Sequence, residues 1–136
     1  MGYRTFEHTA DVGIEAWGDD LGQAFVEAAR GMFSLMVDLD AVVERVQRAQ
    51  SVQAPDREGL LVSWLNELIG LVDAEGLVFK RFEVGLMTER ELVARAYGEP
   101  LDAARHAPHL AVKAATYHGV SVDPGPPSRV LVILDI

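Results

Sequence analysis

Val130-Leu131-Val132-Ile133-Leu134-Asp135-Ile136 is apolar on both alternating faces apart from Asp135. That is the pattern of a strand covered on both sides. Before it, Asp123-Pro124-Gly125-Pro126-Pro127-Ser128 reads as a turn. Residues 111–122 then place Val112, Ala114, Thr116, His118, Val120 and Val122 on one strand face. Further upstream, residues 77–86 and 92–98 read as a hairpin around Met87-Thr88-Glu89-Arg90-Glu91. Four strands therefore follow one another at the C-terminal end.

Two helices precede them. In the first, Leu21, Ala24, Phe25, Ala28, Ala29, Met32, Phe33 and Met36 form an i, i+3, i+4, i+7 stripe. Asp20 stands at the N-cap position, and Gln23 three residues on completes a capping-box pattern. The second helix starts from Asp56 and carries Leu60, Leu61, Trp64, Leu65, Leu68 and Val72, with Gly76 as its C′ residue. Residues 12–17 alternate as a strand before the first helix, and residues 45–53 form a weaker strand between the two. Strands gathered after the second helix indicate an α+β fold rather than a doubly wound parallel sheet.

The chain has 136 residues, the size of one domain over 1–136. A 49% hydrophobic share excludes a disordered segment. No apolar run reaches the roughly 18–20 residues of a bilayer span. Met1-Gly2-Tyr3-Arg4 lacks the apolar core of a secretory leader, and Phe6 stands where myristoylation needs Ser or Thr. Cysteine is absent, which removes disulfides, thiolate metal sites and cysteine nucleophiles. The net charge is −9, with Lys80 and Lys113 the only lysines and the arginines scattered singly. No basic patch exists to hold nucleic acid directly. The acidic surface suits a basic protein partner or cations.

Phosphate-cradling and nucleophile-elbow motifs are missing. Asp38-Leu39-Asp40 begins like a calcium loop, but Val43 and Ala49 replace its required glycine and glutamate. His106-Ala107-Pro108-His109 reads as a surface loop, and Trp17 and Trp64 read as core. Asp73-Ala74-Glu75 reads as a solvated helix end. Two positions resist so plain a reading. Asp135 ends the most apolar strand, next to the Ile136 carboxylate, so either this end protrudes into water or a cation neutralises it. Asp11, just before the strand at 12–17, has the alternatives of a turn residue and a ligand. If Asp11 and Asp135 converge, their oxygens suit Ca²⁺ or Mg²⁺ rather than zinc. In Lys113-Ala114-Ala115-Thr116-Tyr117-His118-Gly119, strand alternation groups Lys113 with Ala115 and Tyr117, and Thr116 with His118. The plain reading is a half-buried strand with polar tips in solvent.

Phe6-Glu7-His8-Thr9-Ala10-Asp11-Val12-Gly13-Ile14 resembles the opening signature of the archeases. So do the first helix through Met36-Val37-Asp38, the segment Leu60-Leu61-Val62-Ser63-Trp64-Leu65-Asn66-Glu67-Leu68, and Glu75-Gly76-Leu77-Val78-Phe79. Tyr97-Gly98-Glu99, Val112-Lys113-Ala114-Ala115-Thr116-Tyr117-His118 and Asp135-Ile136 continue the resemblance in order along nearly the whole chain. The hairpin near residues 86–92 is shorter than the family often carries, and the turn at 124–127 is particular to this chain.

The resemblance implies a compact sandwich of mostly antiparallel sheet with two amphipathic helices. It implies a cytoplasmic accessory protein rather than an enzyme. The partner would be an RtcB-type RNA ligase of tRNA splicing, whose guanylylation and multiple turnover the archease promotes. Nucleic acid would be met only through that ligase. The resemblance also implies a divalent cation, calcium, held by Asp11, Asp135 and Ile136, with Asp38 as a further candidate ligand. His8, Lys113, Tyr117 and His118 are the candidates for facing the partner. Two alternatives are a metal-dependent phosphoester hydrolase with a general base such as His8, and a chaperone-like modulator of nucleic-acid-processing enzymes.

Overall fold

Asp20 accepts a hydrogen bond from the Gln23 N–H at 2.8 Å and opens helix α1, Leu21–Met36. The Gln23 carboxamide reaches back to the Asp19 N–H, one residue earlier than a standard capping box would place it. Asp56 caps α2, Arg57–Glu75, in the same way through the Gly59 N–H at 2.7 Å. Gly76 closes α2 in the left-handed conformation, at φ 66°, where a side chain would be strained. Both helices thus begin where the sequence places them, and α2 ends at the glycine expected to close it.

The computed structural model describes residues 1–7 and 10–136. Its strands are β1 (Gly2–Glu7), β2 (Asp11–Gly18), β3 (Val46–Gln53), β4 (Leu77–Met87), β5 (Glu91–Pro100), β6 (Ala114–Asp123) and β7 (Ser128–Asp135). A 3₁₀ turn, Leu39–Ala41, follows α1, and a short helix α3, Ala103–His106, follows β5. One antiparallel sheet has the order β1-β2-β7-β6 and the other β3-β5-β4. Helix α1 packs on β1, β2 and β7 on one side and on β4 on the other; α2 packs on β6 and on β3, β4 and β5. The helices therefore form a middle layer between two sheets.

This layering explains α2. Leu60, Leu61, Val62, Trp64, Leu65, Leu68 and Ile69 are all buried, a wider set than a single stripe, because both sides of the helix meet a sheet. The core is aromatic where α1, α2 and β4 meet. Phe33 lies 5.7 Å from both Phe79 and Phe82, and Trp64 lies 6.0 Å from Phe82. Each such pair contributes about 0.5–1.5 kcal/mol beyond burial. The Trp64 indole N–H is satisfied by the Gln50 carboxamide at 3.1 Å.

The strands depart from the sequence expectations in four places. β1 is an additional edge strand. β7 is interior, with Val130, Val132 and Leu134 buried against the helices, but Leu131 and Ile133 on its other face are only half-buried. Trp17 also lies on that outer face rather than in the core: it is half-buried and stands opposite Arg129. In β6 the register shifts between Thr116 and Ser121, around Gly119 at φ 71°, so the strict alternation through His118 and Val120 does not hold. Before the shift, the Asn66 side chain bonds both the N–H and the C=O of Ala115, covering that stretch of the β6 edge with α2. Among the described residues, no helix is long and apolar enough to cross a membrane.

Candidate metal centre

β2 and β7 pair in the register that sets Asp11 opposite Asp135. Val12, Ile14 and Ala16 face the helices with Leu134, Val132 and Val130 as partners. Alternation then puts the two aspartates together on the outer face. Asp11 is the first residue of a strand, not a turn residue. Oδ1 of Asp11 is buried and has no hydrogen-bond partner among the described residues. Asp135 is exposed, and its carbonyl accepts the Lys113 N–H at 2.8 Å. The Ile136 N–H lies 3.5 Å from the Ala10 carbonyl, so the main chain of Ile136 is held beside both aspartates.

Among the described residues, no lysine, arginine or histidine side chain forms an ion pair with Asp11 or Asp135. A buried carboxylate oxygen without a donor costs about 1–3 kcal/mol, and like charges directly opposite across strands repel. A cation relieves both. The donors here are all oxygens, and that chemistry fits a hard divalent ion. The residues present therefore fit the cation that the resemblance implies.

No third His, Cys, Asp or Glu side chain joins the pair among the described residues. Asp38 instead caps the 3₁₀ turn through the Asp40 N–H at 3.2 Å, while its own N–H bonds the His106 carbonyl at 2.8 Å. Lys113, Tyr117 and His118 are exposed, and Tyr117 is 62% accessible on the irregular stretch of β6. His8, the general base that a hydrolase would need, lies outside the described residues.

A second polar group escapes a reading of the sequence. His106, expected on a surface loop, is fully buried. Its Nδ1 accepts the Asp102 N–H at 2.8 Å, so Nε2 carries the proton and donates it to Glu99 at 3.0 Å. Glu99 is also buried. It accepts from Arg105 at 2.7 and 3.2 Å and from the Val43 N–H at 2.6 Å. This cluster ties β5, the segment before β3 and α3 together. Nothing local signals it, because the partners stand at positions 43, 105 and 106.

The Arg105 hydrogen bonds hold the Glu99 carboxyl far below its ordinary value of 4.5 against the opposing effect of burial, helped by Val43 and His106. The folded state therefore binds this proton less tightly than the unfolded chain. Its stabilisation is complete above about pH 4.5 and is lost as pH falls further toward the depressed folded value. Glu99→Gln should be less stable than the parent at pH 7, and the gap should narrow below that range. Calorimetry at pH 7 and pH 3 checks this, and a gap that is equal at both would contradict it.

The model of the archease protein family (MTH1598/TM1083) matches residues 3–136. The archease of Pyrococcus abyssi is 42% identical over 127 residues, covering 91% of this chain and 89% of that protein. The archease of Thermococcus gammatolerans is 43% identical over the same length and coverage. Among solved structures, protein 1598 of Methanobacterium thermoautotrophicum superposes with a TM-score of 0.84 at 33% identity, covering 99% of both chains. An archease and possible chaperone from Thermotoga maritima shares the fold at a TM-score of 0.63 and 20% identity, over 98% of this chain and 96% of that one. The matched stretch carries the opposed aspartates of β2 and β7 within the same two-sheet fold, and the chain belongs to the archease family.

Proposed function

We propose that this archease is a protein cofactor of an RtcB-type RNA ligase and acts with a divalent cation, calcium, held by Asp11, Asp135 and the main-chain oxygens of Ile136. The observation that carries the cation is the buried Oδ1 of Asp11, unpartnered among the described residues, opposite Asp135. Family membership supports the partner. When bound, the cation supplies positive charge that neutralises the strand end and fixes its oxygens. The chain's own residues do the rest. The β2–β7 ladder sets the spacing of the two carboxylates, and Lys113 and Ala10 anchor the backbone of residues 135 and 136. The ordered strand end would then help arrange the guanylylation site of the ligase without performing a covalent step itself. The cytoplasm, where such a ligase works, is the compartment this role requires.

Charge supports the docking. A chain of net charge −9 is complementary to the basic surface by which a ligase grips RNA. The association constant should therefore fall as salt rises from about 50 to 500 mM, over which the screening length shortens several-fold. Titration by fluorescence anisotropy checks this, and an affinity independent of salt would remove the electrostatic account. A chaperone-like role, favoured by the description of the Thermotoga relative, predicts instead that many unrelated proteins bind with similar affinity.

A further inference from the structure

The region where α1, α2 and the segment after α3 end holds two adjoining hollows that the cation site does not use. The first, about 350 Å³, is lined by Met36, Val72, Val78, Leu110 and Val112, with Leu101 at its edge. Leu101 and Leu110 are 45% and 37% exposed, so the apolar lining continues onto the surface. Among the described residues, Asp73 is the one charged residue in this lining. It is exposed, with no ion pair among the described residues. The second hollow shares Val37 and His109 with the first and carries Asp38 and Asp40. Among the described residues its one lysine or arginine is Arg30, already neutralised by Glu27 at 2.9 Å.

An apolar recess and an acidic recess therefore lie on either side of His109. Asp73 on one side and Asp40 on the other form no ion pair among the described residues. We infer that these paired hollows receive a surface segment of the partner ligase in which an apolar side chain is followed closely by a lysine or arginine. The apolar side chain fills the hollow at Leu110, and the cation meets Asp38 and Asp40. Buried apolar anchors of this kind dominate interface energetics, while the flanking charges set encounter and register. A neutral apolar peptide would leave the second recess unused, and a purely basic one would leave the first exposed. This inference rests on the ligase reading above.

The test measures the affinity of purified ligase for the parent chain, Leu110→Asp, Asp40→Lys and Asp73→Lys. Thermal stability and calcium affinity are measured on each. All three positions are exposed, so the variants should keep the parent melting temperature and calcium affinity. Leu110→Asp should weaken the ligase about tenfold or more. Each charge reversal should weaken it less and flatten its salt dependence. Parent-like ligase binding by Leu110→Asp overturns the inference while leaving the ligase reading intact. If the parent chain itself fails to bind the ligase, both are overturned. Self-association of the parent that Leu110→Asp abolishes, with ligase binding unchanged, assigns the hollow to a second copy and overturns the inference too.

Discussion

In cation-free buffer Asp11→Ala should melt at the same temperature as the parent chain or higher, and in calcium it should fall behind. The reason is the orphaned oxygen. Asp11 Oδ1 is buried without a hydrogen-bond partner among the described residues, opposite the like charge of Asp135. Removing it should relieve about 1–2 kcal/mol when no cation is present. At calcium a hundredfold above the dissociation constant, the parent gains about 2.7 kcal/mol and the variant nothing. The order of stability thus inverts with calcium. A chain lengthened past Ile136 should behave between the two, because the added residues move a negative charge away from the site. Scanning calorimetry with and without calcium reads all three proteins. A parent chain indifferent to calcium would mean that the orphaned oxygen is simply tolerated.

The second large effect is on folding. Gly98 pairs with Val46 on β3 and with Phe79 on β4, in the central strand of its sheet. A Cβ there would overlap the Val78 carbonyl oxygen and lie 2.7 Å from the Phe79 Cα, both backbone atoms without freedom to withdraw. Gly98 also accepts the Arg45 N–H at 2.9 Å and immediately precedes the buried Glu99. Gly98→Ala should therefore cost about 3 kcal/mol or more and loosen the Glu99 cluster with it. Denaturant unfolding measures the loss. A change below about 1 kcal/mol would show that β4 can shift aside.

These two positions also mark how far the sequence is legible. The helices read cleanly because their signals are local: Asp20 and Asp56 cap them, and Gly76 ends the second. β1 is not legible in the sequence because Tyr3 and Thr5 on one side and Arg4 and Phe6 on the other give no clean apolar face. That is common at a sheet edge. The alternation expected through β6 fails because the register shift around Gly119 breaks the period of two. The burial of His106 depends on Glu99 in a neighbouring strand, and α2 is apolar beyond one stripe because two sheets enclose it. The site is legible in part. Asp11 and Asp135 stood out as carboxylates in apolar settings, but their opposition is a matter of register between strands far apart in the chain, which no local pattern encodes.

On the proposed reading, the strand end bearing Asp11 and Asp135 serves an RNA ligase through a bound cation. The measurement that reaches it most directly is multiple-turnover joining of an RNA 2′,3′-cyclic phosphate end to a 5′-hydroxyl end by limiting ligase. The assay compares no archease, the parent chain in calcium, and Asp11→Ala in calcium. Repeated turnover is expected only with the parent, and a single round or less with Asp11→Ala although that variant remains folded. Equal stimulation by the parent and Asp11→Ala would contradict it.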